Sequence, residues 1–322
     1  MSLTSFSFLI SDKEKQIILK ELSSRLQTPP TEHIDAYFVL DNCKISIYKN
    51  LKCLVQGQNA QNVIKKYFSN HLDVLTINES SQVTQSQLIF TNNIEQVNII
   101  GSDEVGVGDY FGGLCICAVY LTKNDIPKLI ELGVKDSKKL NNDTIIQIAK
   151  ELIKFVKYDV TSIFPEDYNS LYEKYQNTHI IKTYGHYRSI NNLINLINKE
   201  HLQLNKIVID EYASLKKFNQ YLLALGQENN LPNLEFLTQA ENVYLAVAAA
   251  SIIARYFFLI QINELSLEVE INLPLGAWNN NIEQAAIQLL NIANKDEQKI
   301  NILLNKYVKK HFVNTTKILG KL

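Results

Sequence analysis

Residues 101–113, GSDEVGVGDYFGG, constrain the fold more than any other stretch. An apolar run, 97–102, reads as a short strand and leads straight into two adjacent acids, Asp103 and Glu104. Charge is not buried without compensation, so such a strand has to deliver its acids to a crevice at the end of a sheet. Gly106, Gly108, Gly112 and Gly113 follow at once. They do not make a dinucleotide fingerprint. The spacing is GxGxxxG, and the acids precede the glycines instead of following them by about 20 residues. The alternative use of such glycines is close approach of the main chain to a ligand, because no side chain stands in the way.

The rest of the chain supplies partners for that strand. Strands are expected at 114–121, 158–164, 206–209 and 234–237, and helices at 144–155 and 180–198. An Ala-rich helix is expected to open at Glu241. Hairpin-like strands followed by strands alternating with helices describe an α/β unit, a mixed sheet flanked by helices, over residues 95–322. Residues 1–70 read as a separate small α+β unit. Its first helix, SDKEKQIILKELSSRL, has Ser11 as cap and Glu14 as the reciprocal acid. Strands AYFVL, KISIYK and KCLVQG and a helix over 60–68 complete it. Residues 71–94, rich in Asn, Ser and Gln, read as a linker.

Composition narrows the function classes. With 46% hydrophobic and 20% charged residues, the chain is not broadly disordered. Its 32 Lys+Arg against 33 Asp+Glu exclude a uniformly basic nucleic-acid coat, so any such contact comes from local patches. Four Cys make no disulfide framework. Cys115 and Cys117, two apart on one strand face and with no His nearby, read as reduced core thiols and not as a zinc site. The N-terminus lacks a basic region and a long apolar run. The apolar stretch 243–260 is broken by Arg255, so it reads as a buried helix. A cytoplasmic, monomeric protein with no membrane contact is expected.

Four acids stand where apolar elements end: Asp103, Glu104, Asp210 and Glu241. Taken singly, each also reads as a helix cap or a partner of a helix dipole. Gathered in one place they would repel one another unless a cation sat between them. Hard oxygen donors without Cys or His select Mg²⁺ or Mn²⁺. Two such ions about 3.5–4 Å apart clamp the attacking and leaving oxygens of a phosphodiester. Beside them, the backbone at Gly106, Val107 and Gly108 has the donors and acceptors to read a ribose 2′-OH.

GSDEVGVGDYFGG, VKDSKKL, VIDEYAS, AENVYLAVAAASIIAR, LPLGA and KKHF, in that order, resemble the type 2 ribonuclease H family. DYFG, PEDYNSLYEKYQNTH and KTYGHYRSI resemble its ribonuclease HIII branch. The front unit, with IYKNLKCLVQG, is similar to the TATA-binding-protein-like domain of that branch. The resemblance implies an RNase H-like catalytic domain, endonucleolytic cleavage of the RNA strand of RNA/DNA hybrids, and 5′-phosphate products. It places Asp103, Glu104, Asp210 and Glu241 on the metal-binding carboxylates and Gly106, Val107 and Gly108 on the 2′-OH-reading segment. It also puts Asp136, Ser137 and Lys138 near the nucleic-acid backbone. The chain departs from the family pattern at Gly113, usually Pro, at Thr183-Tyr184, and at Leu51, usually Gly.

Basic runs offer a grip on substrate. Lys44, Lys49, Lys52, Lys65 and Lys66 form one without an intervening acid, and Lys49 and Lys52 are its expected contacts. Lys306, Lys309, Lys310, Lys317 and Lys321 form another; Lys135, Lys138 and Lys139 lie closest to the acids. The first two runs also suit a solvated face. His186 and His311 match family blocks but are assigned no catalytic role, and Trp278 and Phe312 are expected to pack. Two rivals stay open: a hybrid-binding protein without turnover, and ribonuclease HII-like cutting at single ribonucleotides in DNA.

Overall fold

A computed structural model describes residues 5–31, 33–40, 42–71, 96–134 and 140–321. The chain divides into two compact units, Met1–Ile89 and Phe90–Leu322. Apart from His71, the expected linker lies outside the described residues, as do Asp136, Ser137, Lys138 and their Lys neighbours.

In the first unit an antiparallel sheet of five strands, β1 (Ser5–Leu9), β2 (Leu26–Gln27), β3 (Ile34–Leu40), β4 (Cys43–Tyr48) and β5 (Lys52–Gly57), has the order β1-β5-β4-β3-β2. Helices α1 (Asp12–Glu21) and α2 (Ala60–Tyr67) accompany it. Ser11 and Glu14 cap α1 reciprocally, as the sequence predicts: the Ser11 N–H donates to Glu14 Oε2 at 2.8 Å and the Glu14 N–H to Ser11 Oγ at 3.2 Å. Strand β1 was not expected. SFSFL is a short alternating run that gains its role by pairing with β5. Leu51 occupies the turn before β5 at φ +64°, the left-handed conformation that a glycine adopts without penalty. Strand alternation buries Phe38, Ile45 and Val55 in one cluster with Ile64 of α2 and leaves Lys44 and Lys52 exposed; Lys49, in the turn after β4, and Lys65 and Lys66, on α2, are exposed as well.

The second unit is built on strands β6 (Ile99–Val105), β7 (Leu114–Leu121), β8 (Lys157–Ile163), β9 (Lys206–Asp210) and β10 (Leu234–Leu237), ordered β10-β9-β6-β7-β8. β6, β7 and β8 form an antiparallel meander, whereas β9 and β10 run parallel to β6. The sheet is mixed, as expected. Its described helices are α3 (Ile126–Glu131), α4 (Asn142–Leu152), α5 (Pro165–Tyr175), α6 (Thr178–Lys199), α7 (Leu215–Ala224), α8 (Leu245–Val269), α9 (Asn280–Asn291), α10 (Glu297–Tyr307) and α11 (Val313–Leu319).

β7 is buried along its whole length because helices cover both faces of the sheet. α8 covers one face through its small residues. A Cβ on Gly101 would lie 2.3 Å from the Val247 nitrogen, so the Gly101–Ala246 contact brings helix and strand together backbone to backbone. α8 is long and apolar enough to span a membrane by composition alone, but its residues 245–250 are all buried inside this core. α6 covers the opposite face, where Gly185 sits over Ile116. Cys115 and Cys117 are free and buried, as expected, and so are Cys43 and Cys53.

Candidate active site

Strand β6 does not stop at its acids. It continues through them to Val105, with Asp103 opposite Cys117 and Glu104 opposite Ile116. Successive side chains in a strand point to opposite faces. Asp103 therefore turns toward α8, where Ser251 hydrogen-bonds it. Glu104 turns toward α6, where Lys182 Nζ lies 2.5 Å from Oε1 and His186 Nε2 lies 2.8 Å from Oε2. The two adjacent acids enter the site from the two sides of the sheet.

Asp210 arrives from the neighbouring strand. Ser102 pairs with Ile209 in the parallel ladder, so the next residues, Asp103 and Asp210, come at the C-terminal ends of adjacent parallel strands. Glu241 does not open a helix. It lies in a 3₁₀ turn, Ala240–Asn242, and α8 starts only at Leu245. The turn is entered through Gln239 at φ +56°, and the Ala240 N–H donates to Asp210 Oδ1 at 2.8 Å. That bond folds the turn back onto the end of β9 and sets Glu241 beside Asp210. The apolar run after Tyr244 obscured this break.

The electrostatics follow from this gathering. Burial, and then Glu104 and Asp210, push the Asp103 carboxyl up to about 8. Burial, Glu241 and Glu104 raise Asp210 as well, against the Ala240 hydrogen bond. Burial also acts on Glu104, but the His186 hydrogen bond and the His186 and Lys182 charges outweigh it and hold Glu104 below the usual carboxylate range. His186 is fully buried and pulled below the usual imidazole range by that burial, despite Glu104. Its Nδ1 meets Ser102 Oγ at 2.8 Å.

A divalent cation suits this donor set. The four side chains are carboxylates, with no thiolate among them; burial and neighbouring carboxylates raise the proton affinity of Asp103 and Asp210, and a cation would relieve that repulsion. They are not a finished cage. Among the described residues no three His, Cys, Asp or Glu side chains already form a metal-holding group. The split of Asp103 and Glu104 across the sheet, with both Glu104 oxygens occupied, accounts for this.

The glycine loop lies directly beyond Glu104. Gly106 is buried at φ +108°, and a Cβ there would stand 2.6 Å from the Phe258 ring. Val107 is half-buried and Gly108 exposed, so the loop's main chain reaches the surface there. Gly113 answers one departure from the family pattern. Its N–H donates to Gln261 Oε1 at 2.7 Å, a bond that a proline lacks. A cavity of about 260 Å³ opens on the Asp103 side, lined by Ser251, Arg255 and Asn142 among others.

One lysine of the C-terminal basic run is no phosphate grip. Lys309 is fully buried and donates to the carbonyls of Asp109 and Gly112 at 2.6 and 2.9 Å, so it holds the glycine loop from within. Lys306 and Lys321 are paired with Glu268 and Glu283. Trp278 and Phe312 pack against the core, as expected. Lys182 was not expected in the site. The visible signal was KTYGH, in which Lys182 and His186 stand four apart and share one helix face.

A mixed sheet with carboxylates brought to the ends of its parallel strands, between covering helices, defines a nuclease of the ribonuclease H class. Residues 100–315 match the Ribonuclease HII family model. Ribonuclease HIII of Bacillus mycoides is 37% identical over 277 residues, covering 86% of this chain and 85% of that protein. Ribonuclease HIII of Bacillus cereus (strain AH187) is 35% identical over 282 residues, with the same shares. Among solved structures, Bst-RNase HIII in complex with Mn²⁺ superposes with a TM-score of 0.66 at 28% identity over 99% of each chain. The Aquifex aeolicus RNase H3 superposes at 0.51 and 27% identity, covering 95% of this chain and 99% of the other. The chain belongs to the type 2 ribonuclease H family, in its ribonuclease HIII branch, and is a ribonuclease H endonuclease.

Proposed function

We propose that this endonuclease hydrolyses the RNA strand of RNA/DNA hybrids, leaving 5′-phosphate and 3′-hydroxyl ends, with Asp103, Glu104, Asp210 and Glu241 as its metal-binding carboxylates. The observation that carries this reading is their convergence: three separate segments bring four carboxylates to one end of the sheet, where burial, and then Glu104 and Asp210, push Asp103 up to about 8. Two Mg²⁺ or Mn²⁺ ions, when bound there, supply an activated nucleophile and neutralise charge on the phosphodiester. The Mn²⁺ complex of the Bst-RNase HIII relative supports the choice of ion.

The chain's own groups do the rest. Asp103, close to both Glu104 and Asp210, would help to hold the ions. The Ala240 N–H fixes Asp210, and the turn it belongs to fixes Glu241. Gly106, Val107 and Gly108 present main chain to the ribose, where a 2′-OH distinguishes RNA from DNA. Exposed Lys49 and Lys52 of the first unit meet the phosphate backbone, as do Ser137 and Lys138. Residues 1–70, 71–94 and 95–322 serve as binding domain, linker and catalytic domain of a cytoplasmic monomer.

The test compares two labelled substrates, with Mg²⁺ and with Mn²⁺: a continuous RNA/DNA hybrid and a DNA duplex carrying one ribonucleotide. Cleavage of the hybrid is expected, and Asp103→Asn should abolish it while largely sparing hybrid binding. Near-normal turnover by that variant rejects the site. Preferential cutting at the lone ribonucleotide replaces the substrate assignment with the ribonuclease HII-like one. Tight hybrid binding without turnover by the wild type would leave a silent binder.

A further inference from the structure

Glu104 is the one acid of the cluster whose two oxygens each meet a cationic or polar side chain of the same helix. Lys182 and His186 are one helical turn apart on α6, so both reach β6. Lys182 Nζ lies 2.5 Å from Glu104 Oε1, and the two side chains are only 8% and 12% exposed. Water screens this pair little. The ammonium is further held over the Tyr212 ring, 4.2 Å from its centroid, and Tyr212 stacks on His186 at 5.2 Å. Thr183 fixes the Tyr212 hydroxyl at 2.8 Å. The ammonium is thus built in from three sides: a carboxylate, an aromatic face and a helix that other contacts immobilise.

A fixed positive charge against one acid of a divalent-cation site has two opposed effects. It lowers the repulsion among the carboxylates while no ion is bound, and it repels the ion that arrives. We propose that Lys182 is the resident counter-cation of the metal-free site, a positioning residue that holds Glu104 toward α6 and sets how tightly the cluster takes its divalent ion. The proposal rests on the assignment of Glu104 as an ion ligand. Bound ions and Lys182 then share that carboxylate, and the enzyme holds its ions more weakly than four acids alone would.

The test measures Mn²⁺ binding to the full chain without nucleic acid, by the electron-paramagnetic-resonance signal of free Mn²⁺, together with melting curves in EDTA. Lys182→Met keeps the length of the side chain and removes its charge. It should bind Mn²⁺ about tenfold more tightly or better, because a like charge is lost within a few ångströms, and it should melt lower in EDTA. Lys182→Arg, which keeps the charge, should bind Mn²⁺ within about threefold of wild type, far short of the gain from removing that charge. A purely structural lysine would weaken ion binding when replaced, so tighter binding separates the two roles. Lys182→Gln is read in the same way should the Met variant not fold. Equal or weaker Mn²⁺ binding by the uncharged variants, while Asp103→Asn loses Mn²⁺, overturns the proposal alone. Wild-type affinity in Asp103→Asn, or no Mn²⁺ binding by wild type, overturns the ion-site assignment and the proposal with it.

Discussion

Asp103→Asn should make the metal-free protein more stable while it destroys activity. Burial and the carboxylates of Glu104 and Asp210 raise Asp103 from 3.8 to about 8 in the folded state. A carboxyl raised on folding is protonated in the native chain and ionised in the unfolded one between those two values. Its contribution to stability therefore falls as pH rises through that window. At pH 7 the chain is about three pH units into the window, and at about 1.4 kcal/mol per unit the penalty is roughly 4 kcal/mol. An asparagine carries no charge at any pH and keeps an oxygen to accept the Glu104 N–H, now bonded to Asp103 Oδ1 at 2.7 Å. Burying its amide returns part of the gain, so a net stabilisation of about 2 kcal/mol is expected. For a unit of this size that raises Tm by about 4–8 °C. Calorimetry in EDTA at pH 7 and again at pH 4.5 measures it, and the difference should shrink at the lower pH. Saturating Mn²⁺ should reverse the order, because only wild type gains binding energy, about 3 kcal/mol at a hundredfold excess over Kd. A variant that melts at or below wild type in EDTA at pH 7 refutes the reasoning.

Gly101→Ala should destabilise the second unit by about 3 kcal/mol or more, read from urea unfolding, because its methyl would meet the backbone of α8 at 2.3 Å. Burial pulls Lys309 down to about 7 from 10.5, against the pull of Asp109. At this residue the folded chain thus binds fewer protons than the unfolded one between those values, so the Lys309 contribution to stability, read as the difference between wild type and Lys309→Met, should rise from pH 7 toward pH 9.5. Lys309→Met should also lower kcat/KM for a hybrid by loosening the Asp109 and Gly112 carbonyls. Burial pushes the thiols of Cys53 and Cys115 up to about 12 and about 11 and raises Cys117 as well, so the native protein should resist a thiol-specific disulfide reagent at pH 8 and react fully once denatured.

Periodicity alone was enough to find most elements. β7 matches its expected range residue for residue, and so does β10, because turn residues bracket short β-rich runs. The capping box of α1 was equally legible, since its two hydrogen bonds join residues three apart. Local signals failed where a distant segment completes the structure. β1 is a strand because β5 pairs with it. Lys309 is a loop clamp and not a surface charge, because residues 200 and 197 positions away offer it two carbonyls.

The acids divide along the same line. Their identity, and the hard-cation chemistry that follows from it, are properties of residue type, so Asp103, Glu104, Asp210 and Glu241 could be named from the chain. Their arrangement is not. That Asp103 and Glu104 face opposite sides of the sheet depends on β6 running on to Val105, which its pairing with β7 decides. That Glu241 sits beside Asp210 depends on one hydrogen bond from Ala240. Lys182 reaches Glu104 only because α6 packs on that face of the sheet. Side-chain chemistry is local and can be read in order along the polymer, but a field is a sum over neighbours in space, and folding chooses the neighbours.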